Sequence, residues 1–486
     1  MVADGDKCFR VSGIPDGYSD SQIRALLARE LHLDDDVLIE IFSLARSPLR
    51  QGERIATLSF SHIPAELSEH GQQHIDIPST CPDSRGPRKQ VILDSHFEGF
   101  TPLHTSEDDE CYVDIIALSG LNGHAFGSFK AKGGSHMWLR DALPLDMPNA
   151  RIFIYGYDTS PDSVSFQNIW DLESTFRDRL RMLRARSGST WRPFVVVAHS
   201  LGGIIAKAAV IKMAEDSIDG DDAAYRSLRG ILLFGVPSQG MDIESLVPMV
   251  PVSEMRALLS SLDKNNSPTL RELGESFPRK IKELQEFVVF NFYETQESPT
   301  ARRNDEGNWE MKGPPTVLVN SFSATQGKLG NETGHRVIAL NRTHSEMIKF
   351  AGVNDIDYEI TLDCLKEIEK RITRESSVWR PHQLTDDEQD CLQSLSFVEQ
   401  HSREFDPKIK AAEGTCTWIL EHKNYCSWLS TNAGLLWIMG PPGAGKSTLM
   451  KFMSLEEVTA ESGTGKKRNY ESFSSLLFSL RAVDAL

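Results

Sequence analysis

The chain has 486 residues, enough for about three domains of ordinary size and for a large buried core. Its 52 Lys and Arg against 69 Asp and Glu leave a net charge of −17, which disfavours a general nucleic-acid or anionic-membrane surface while allowing local basic patches. The seven cysteines are an odd number without C-x-x-C spacing, which argues against a disulfide framework or a zinc site and fits a reducing intracellular setting, cytoplasmic by expectation.

The opening, Met1 to Asp6, is too acidic for a secretory or mitochondrial signal, and no run approaches the ~18 apolar residues of a membrane span. Residues 8–12, 19–31, 37–43 and 54–60 read as strand, helix, strand, strand, a small ferredoxin-like or RRM-like module placed at 5–75. The third strand, 54–60, lacks the paired aromatics on which RNA bases stack, so a role without RNA is expected. From 61 to 89 the chain is rich in His, Pro, Ser and Gln and reads as connecting chain, with the linker placed at 76–89.

Between 90 and 375 short apolar runs alternate with helical stretches. Strands are expected at 113–118, 151–157, 193–198, 230–235, 288–293 and 316–319, and helices at 170–185, 203–214, 253–262 and 363–374. Continuously apolar strands are buried on both faces, so the pattern predicts a doubly wound, mostly parallel α/β sheet. A polar linker at 376–390 precedes a last segment, 391–486, with a helical lead-in carrying Trp418 and Trp428 and a strand at 435–439.

Within the α/β unit, Ser200 stands between the apolar run Phe194 to Ala198 and a helix, with Ala198 two residues before it and Gly202 two after. That is the pattern of a nucleophile elbow, in which small residues let the chain bend sharply enough to lift a serine hydroxyl out of the sheet. A serine nucleophile needs a base and an acid that orients the base, in the chain order Ser, Asp/Glu, His on this architecture. His344 is the expected base, with His335 and His199 as competitors; Glu294, after the strand 288–293, is the expected acid, with Glu297, Asp305 and Glu306 as alternatives. The oxyanion hole is expected from the N–H of Leu201 and the glycine turn holding Gly120 and Leu121. This chemistry calls for no cofactor.

The run Asp114 to Leu121, Gly123-His124, Trp138 to Asp141, Tyr155 to Asp158, Ala198 to Gly203, Phe292 to Thr295 and Thr343 to Ser345 together resemble the lipase-like α/β hydrolases related to the serine active site-containing proteins. They are also similar to fungal proteins that join such a domain to a NACHT-type NTPase. The resemblance spans roughly 90–374 and implies Ser200 as nucleophile, His344 as base, Glu294 as acid, and an ester or lipid-like small-molecule substrate. It also implies association with mitochondrial or endoplasmic-reticulum membranes. Ser119 stands where that family often has histidine. A signalling or scaffold protein, with a hydrolase-like recognition module and little catalysis, is the alternative.

Gly440, Gly443, Ala444, Gly445, Lys446, Ser447 and Thr448 lie in a complete Walker A run, Gly440 to Thr448. Such a loop wraps phosphate oxygens with backbone N–H groups, while lysine reaches the outer phosphates and the hydroxyl, here Ser447, holds Mg2+. ATP or GTP with Mg2+ is the expected ligand, and protein partners are expected through this part. With only the stretch to Leu486 following, the chain is expected to carry just the opening of an NTPase domain and to show little or no ATPase activity.

Overall fold

Along the first strand Phe9 and Val11 alternate with Cys8 and Arg10, and this alternation decides what each face of the first sheet does. The structure, a computed structural model, describes residues 7–378 apart from 35, 65–66, 68–71, 78–89, 107–110, 159–166, 217, 219, 242–257, 265–266, 285, 304–308 and 327–334. Beyond these it describes 412, 414–425, 438, 440, 444–446, 448–449 and 452. Strands β1 (Cys8–Pro15), β2 (Ile39–Arg46), β3 (Glu53–Phe60), β4 (Gln72–Asp76) and β5 (Gln90–Asp94) form an antiparallel sheet in the order β2-β3-β1-β5-β4.

One face of this sheet is covered by α1 (Asp20–Glu30). Ser19 and Gln22 form a capping box that starts the helix, and Ile23, Leu26 and Leu27, spaced to share one side, join Phe9, Val11 and Leu58 in a core. The opposite face meets the following domain. Cys8 and Phe42 pack into a cluster with Phe97, Phe126 and Phe129, and the Arg140 guanidinium lies 4.1 Å from the Phe42 ring centre. Arg10 donates to Asp94 at 2.8 Å, to the Glu98 carbonyl at 2.9 Å and to the Thr101 hydroxyl at 3.0 Å. The face on which an RNA reader stacks bases is thus occupied by protein.

Two strands of this sheet differ from expectation: β4 lies within 61–89, which reads in sequence as connecting chain, and β5 lies at the start of 90–375, which reads as the α/β unit. Gln72–Asp76 is an edge strand with only Ile75 buried, so its composition is that of a loop. Its partner β5, which pairs with β1, carries the module to Asp94.

The second sheet has the order β14-β11-β10-β9-β7-β8-β6, from β6 (Gly99–His104), β7 (Val113–Leu118), β8 (Ala150–Gly156), β9 (Phe194–His199), β10 (Leu228–Phe234), β11 (Val288–Glu294) and β14 (His335–Leu340). All of its pairings are parallel except β6 with β8. Every residue of β7, β8 and β9 is buried, as strands covered on both faces require. Helices α2 (Ile169–Arg186) and α3 (Leu201–Glu215) pack with α4 (Asp221–Ser227) and α5 (Pro268–Ile281) around one apolar cluster, while α6 (Ile356–Val378) and Trp138 belong to another. This is the α/β-hydrolase fold.

Two sheet positions differ from expectation. The run 316–319 is no strand of this sheet: Thr316 ends a hairpin of β12 (Ser298–Arg303) and β13 (Trp309–Thr316), and the sheet edge is β14. At the other edge β6 was missed because Gly99 and Pro102 mask it; proline is tolerated there because an edge strand has a ladder on one side only. Of the expected helix 253–262, residues 253–257 lie outside the described residues and 258–260 are helical.

The contacts divide the chain into two units, Met1–Glu375 and Ser376–Leu486. In the second, Cys416, Ile419, Tyr425 and Leu449 form a small apolar cluster, while Trp428 and all of 435–439 except Ile438 lie outside the described residues. Among the described residues no helix is long and apolar enough to cross a membrane. The apolar and cationic contacts between the first sheet and the hydrolase domain predict that a chain lacking residues 1–94 is insoluble or lacks a cooperative thermal transition. Calorimetry of the shortened chain checks this, and a native-like transition in it would contradict the packing.

Candidate active site

From β7 the chain moves to β8 on one side and then crosses to β9 on the other, so the carboxyl ends of β7 and β9 flank a topological switch point. Such ends form the crevice where α/β sheets bind ligands. Ser200 follows β9 directly, with φ 51° and ψ −121°, a conformation that costs a residue with a Cβ about 1–3 kcal/mol. It is over-determined: the Ser200 N–H donates to the Phe234 carbonyl at 2.9 Å, and the Ser200 carbonyl accepts from Gly203 at 3.0 Å.

Two glycines permit the approach of the neighbouring loop. A Cβ on Gly202 would lie 2.4 Å from the Ser119 carbonyl oxygen, and one on Gly120 would lie 2.8 Å from the Ser200 Cβ. The loop after β7 therefore touches the serine. It turns through a Gly123 N–H to Gly120 carbonyl bond of 3.0 Å, with Asn122 at φ 52°. The Tyr157 hydroxyl donates to the Ser119 carbonyl at 2.6 Å, and the Ser119 hydroxyl donates to the Gly123 carbonyl at 3.4 Å. Leu201 is the first residue of α3, so its N–H has no acceptor within the helix.

The structure brings Ser200, His344 and Glu294 together. The Ser200 hydroxyl lies 3.0 Å from His344 Nε2, and His344 Nδ1 lies 2.6 Å from Glu294 Oε2. Since a carboxylate only accepts, Nδ1 carries the proton and Nε2 of the neutral ring is left to accept from serine. Glu294, 2% exposed at the end of β11, has its other oxygen held by the Val319 N–H at 3.0 Å. Ser200 is 5% exposed and His344 is buried to a similar degree, so the group is screened from bulk water.

The loop bearing His344 is tied down on several sides. Arg342 donates to both oxygens of Asp355 at 2.7 and 2.8 Å, pairs with Asp357, and donates to the Lys349 carbonyl at 3.1 Å. The Trp138 indole donates to the Ile348 carbonyl at 3.0 Å, and the His344 N–H donates to the Ser298 hydroxyl at 3.1 Å.

The competing residues are placed elsewhere or differently engaged. His335 is the first residue of β14, at the opposite end of that strand from the loop bearing His344. His199 donates from Nε2 to the His344 carbonyl at 2.8 Å, and burial, reinforced by the adjacent His344, pushes its pKa down to about 3. It is a neutral strut under His344. Glu297 is exposed, and Asp305 and Glu306 lie outside the described residues. The sequence does not mark His199, Tyr157 and Val319 as struts, although His199 adjoins the elbow and Tyr157 lies in the run Tyr155 to Asp158.

In the second unit Gly440, Ala444, Gly445, Lys446 and Thr448 are described, whereas Gly443 and Ser447 are not. Gly445 has φ 78°, its carbonyl accepts from Leu449 at 2.9 Å, and Lys446 Nζ donates to the Gly440 carbonyl at 2.7 Å.

A family model described as Nephrocystin 3, N-terminal, matches residues 414–475. The chain is similar to Protein SERAC1 of Danio rerio, 27% identical over 238 residues, which make up 43% of this chain and 34% of that protein. It is likewise similar to Protein SERAC1 of Homo sapiens, 25% identical over 235 residues with the same coverage, 43% and 34%. The chain thus spans about a third of the length of these curated relatives. Among solved structures, the mature Bacillus licheniformis lipase BlEst2 aligns at TM-score 0.34 and 14% identity, covering 51% of this chain and 92% of that chain. A structure described under LipS and LipT, two metagenome-derived lipolytic enzymes, aligns at TM-score 0.35 and 12% identity, covering 56% and 98%.

His199 gives a pH signature. An unfolded histidine takes up a proton near 6.5, whereas the folded one stays neutral to about 3, so the unfolded state binds more protons between those values. The stability linked to this group is fully present above 6.5 and falls as pH drops toward 3. Denaturant unfolding of wild type and His199→Asn should show their stability difference shrinking by about 2 kcal/mol between pH ~7 and ~5. A pH-independent difference would contradict a buried neutral ring.

Proposed function

We propose that the chain is a serine hydrolase of esterase or lipase type that cleaves an ester, thioester or amide bond through an acyl-enzyme on Ser200. The observation that carries this reading is the hydrogen-bonded series Ser200, His344, Glu294, assembled from three separate strand ends on a strained elbow.

In the proposed cycle, Ser200 Oγ attacks the substrate carbonyl while His344 Nε2 accepts its proton. Glu294 remains ionised, fixes the ring tautomer and stabilises the imidazolium. Negative charge on the tetrahedral oxygen would be met by the N–H of Leu201 and an N–H of the Gly120-Leu121 turn. His344 then protonates the leaving group, and a water activated by the same nitrogen releases the acyl group. Lipid-like esters are the proposed substrate class, in keeping with the fold and with the relatives. Ser119, in place of a histidine, is the observation favouring a recognition module without catalysis; against it, the carbonyl and hydroxyl of Ser119 both anchor the turn.

Ser200→Ala and His344→Ala should each lower the rate of p-nitrophenyl ester hydrolysis by roughly four to six orders of magnitude with the fold intact. Glu294→Gln should lower it by about 10⁴-fold, because the amide imposes the wrong tautomer. Unchanged turnover in His344→Ala would overturn the assignment, and a folded but inactive wild type would favour the recognition reading.

For the second unit we propose nucleotide binding: backbone N–H groups of the loop from Gly440 to Gly445 around the phosphates of ATP or GTP, with Thr448 beside them, Lys446 on the outer phosphates, and Ser447 on Mg2+. Protein partners of the chain are proposed to act through this unit. Lys446→Ala should weaken binding of a fluorescent ATP analogue at least about tenfold. Equal titration curves for both proteins would contradict the proposal.

A further inference from the structure

Helix α2 carries two buried ion networks whose charge balance differs. In the first, Arg177 pairs with Glu173 at 2.8 Å, Asp216 at 2.6 Å and Asp221 at 2.8 Å, and Arg181 joins Asp221 at 3.5 Å. There the acids outnumber the bases.

In the second, at the amino edge of the large sheet, three guanidiniums converge on one carboxylate. Asp114, near the start of β7 and fully buried, takes both forks of Arg151 at 2.7 Å each. Arg192 Nη1 stands 3.5 Å from Asp114 Oδ1 and Arg184 Nη1 3.7 Å from Oδ2, ion pairs too long to be hydrogen bonds. Among the described residues no other acid pairs with these three arginines.

Arg184 is only 2% exposed, and its Nη2 is used on the carbonyls of Thr190 and Arg192. Its Nε and Nη1, together with Arg192 Nη1, are buried with no hydrogen-bond partner. Burial lowers the Arg184 pKa to about 10 in spite of Asp114, and the charges of Arg151, Arg192 and Arg229 act in the same direction. A guanidinium held in a positive field with unspent donors is costly unless a second anion offsets it. The Arg192 side chain is 19% exposed and Trp191 beside it is half exposed, so the cluster reaches solvent at its Arg192 end.

We propose that Arg184 and Arg192, backed by Arg151, bind a phosphate-type oxyanion at the sheet edge opposite Ser200, either free phosphate or the phosphate headgroup of a lipid. A tetrahedral oxyanion offers acceptors in several directions, which suits planar donor forks arriving from different elements better than a second carboxylate would. This site does not depend on the hydrolase reading, and its occupancy is measured without any activity assay.

The test uses the full chain. Inorganic phosphate should raise the thermal midpoint saturably, with no shift from sodium chloride at matched ionic strength. Arg192→Gln, whose side chain reaches solvent, should keep the circular dichroism spectrum and lose at least about tenfold in phosphate affinity; Arg192→Lys, which keeps the charge without the fork, should also bind more weakly. Sedimentation with vesicles of phosphatidic acid in phosphatidylcholine, against phosphatidylcholine alone, separates the sources. Vesicle binding lost in Arg192→Gln assigns a lipid headgroup, and phosphate binding without vesicle binding assigns the free ion. Binding of neither, or equal binding by wild type and Arg192→Gln, would overturn the site.

Discussion

The positive φ of Ser200 is the constraint around which the rest of the site is arranged. A residue with a Cβ does not hold that conformation unless its neighbours leave no alternative. Here the Ser200 N–H is fixed to β10, its carbonyl starts α3, and the loop after β7 closes against it through glycine positions that admit no side chain. The hydroxyl is thereby set at the carboxyl edge by the three central strands rather than by its own rotamer alone. The placement of this hydroxyl is a property of the sheet.

His344 reaches the serine from a loop 144 residues away in sequence, and its position is set as much by its backbone as by its ring. The carbonyl is held by His199, the N–H by Ser298, and the flanking turn by Arg342 and Trp138. Burial keeps His199 uncharged, so the strut adds no positive charge beside the His344 ring. Glu294 is fixed in turn by Val319, a residue from the irregular stretch after β13. Each member of the series thus owes its geometry to a different part of the chain.

Much of this was legible in the sequence, for a physical reason. Strands β7 to β11 lie inside a sheet covered on both faces, so apolar residues dominate them and they read as strands. The elbow was legible because its sterics demand small residues at fixed offsets; chain order made Glu294 and His344 the expected partners of Ser200 but left Glu297, Asp305, Glu306, His335 and His199 as alternatives, and the structure joins Ser200, His344 and Glu294 in one hydrogen-bonded series. What was not legible lies at edges and in backbone contacts. Strands β4 and β6 carry loop-like composition because one side of each is unpaired. The apolar run 316–319 was mistaken for a strand of the sheet; its Val319 serves Glu294 through a backbone N–H, which no side-chain pattern encodes. The excess of arginine around Asp114 was equally invisible, since its members come from β7, β8, the end of α2 and the turn before β9.

In the proposed mechanism the Ser200 hydroxyl is the nucleophile, and the buried Glu294 carboxylate, two hydrogen bonds away through His344, controls it. Peptide mapping by mass spectrometry after exposure to a fluorophosphonate tests this most directly. A covalent adduct is expected on Ser200 in the folded wild type, formed far more slowly when Glu294 is changed to glutamine and Ser200 is kept. Folded protein that remains unlabelled, or an adduct on another residue, would contradict it.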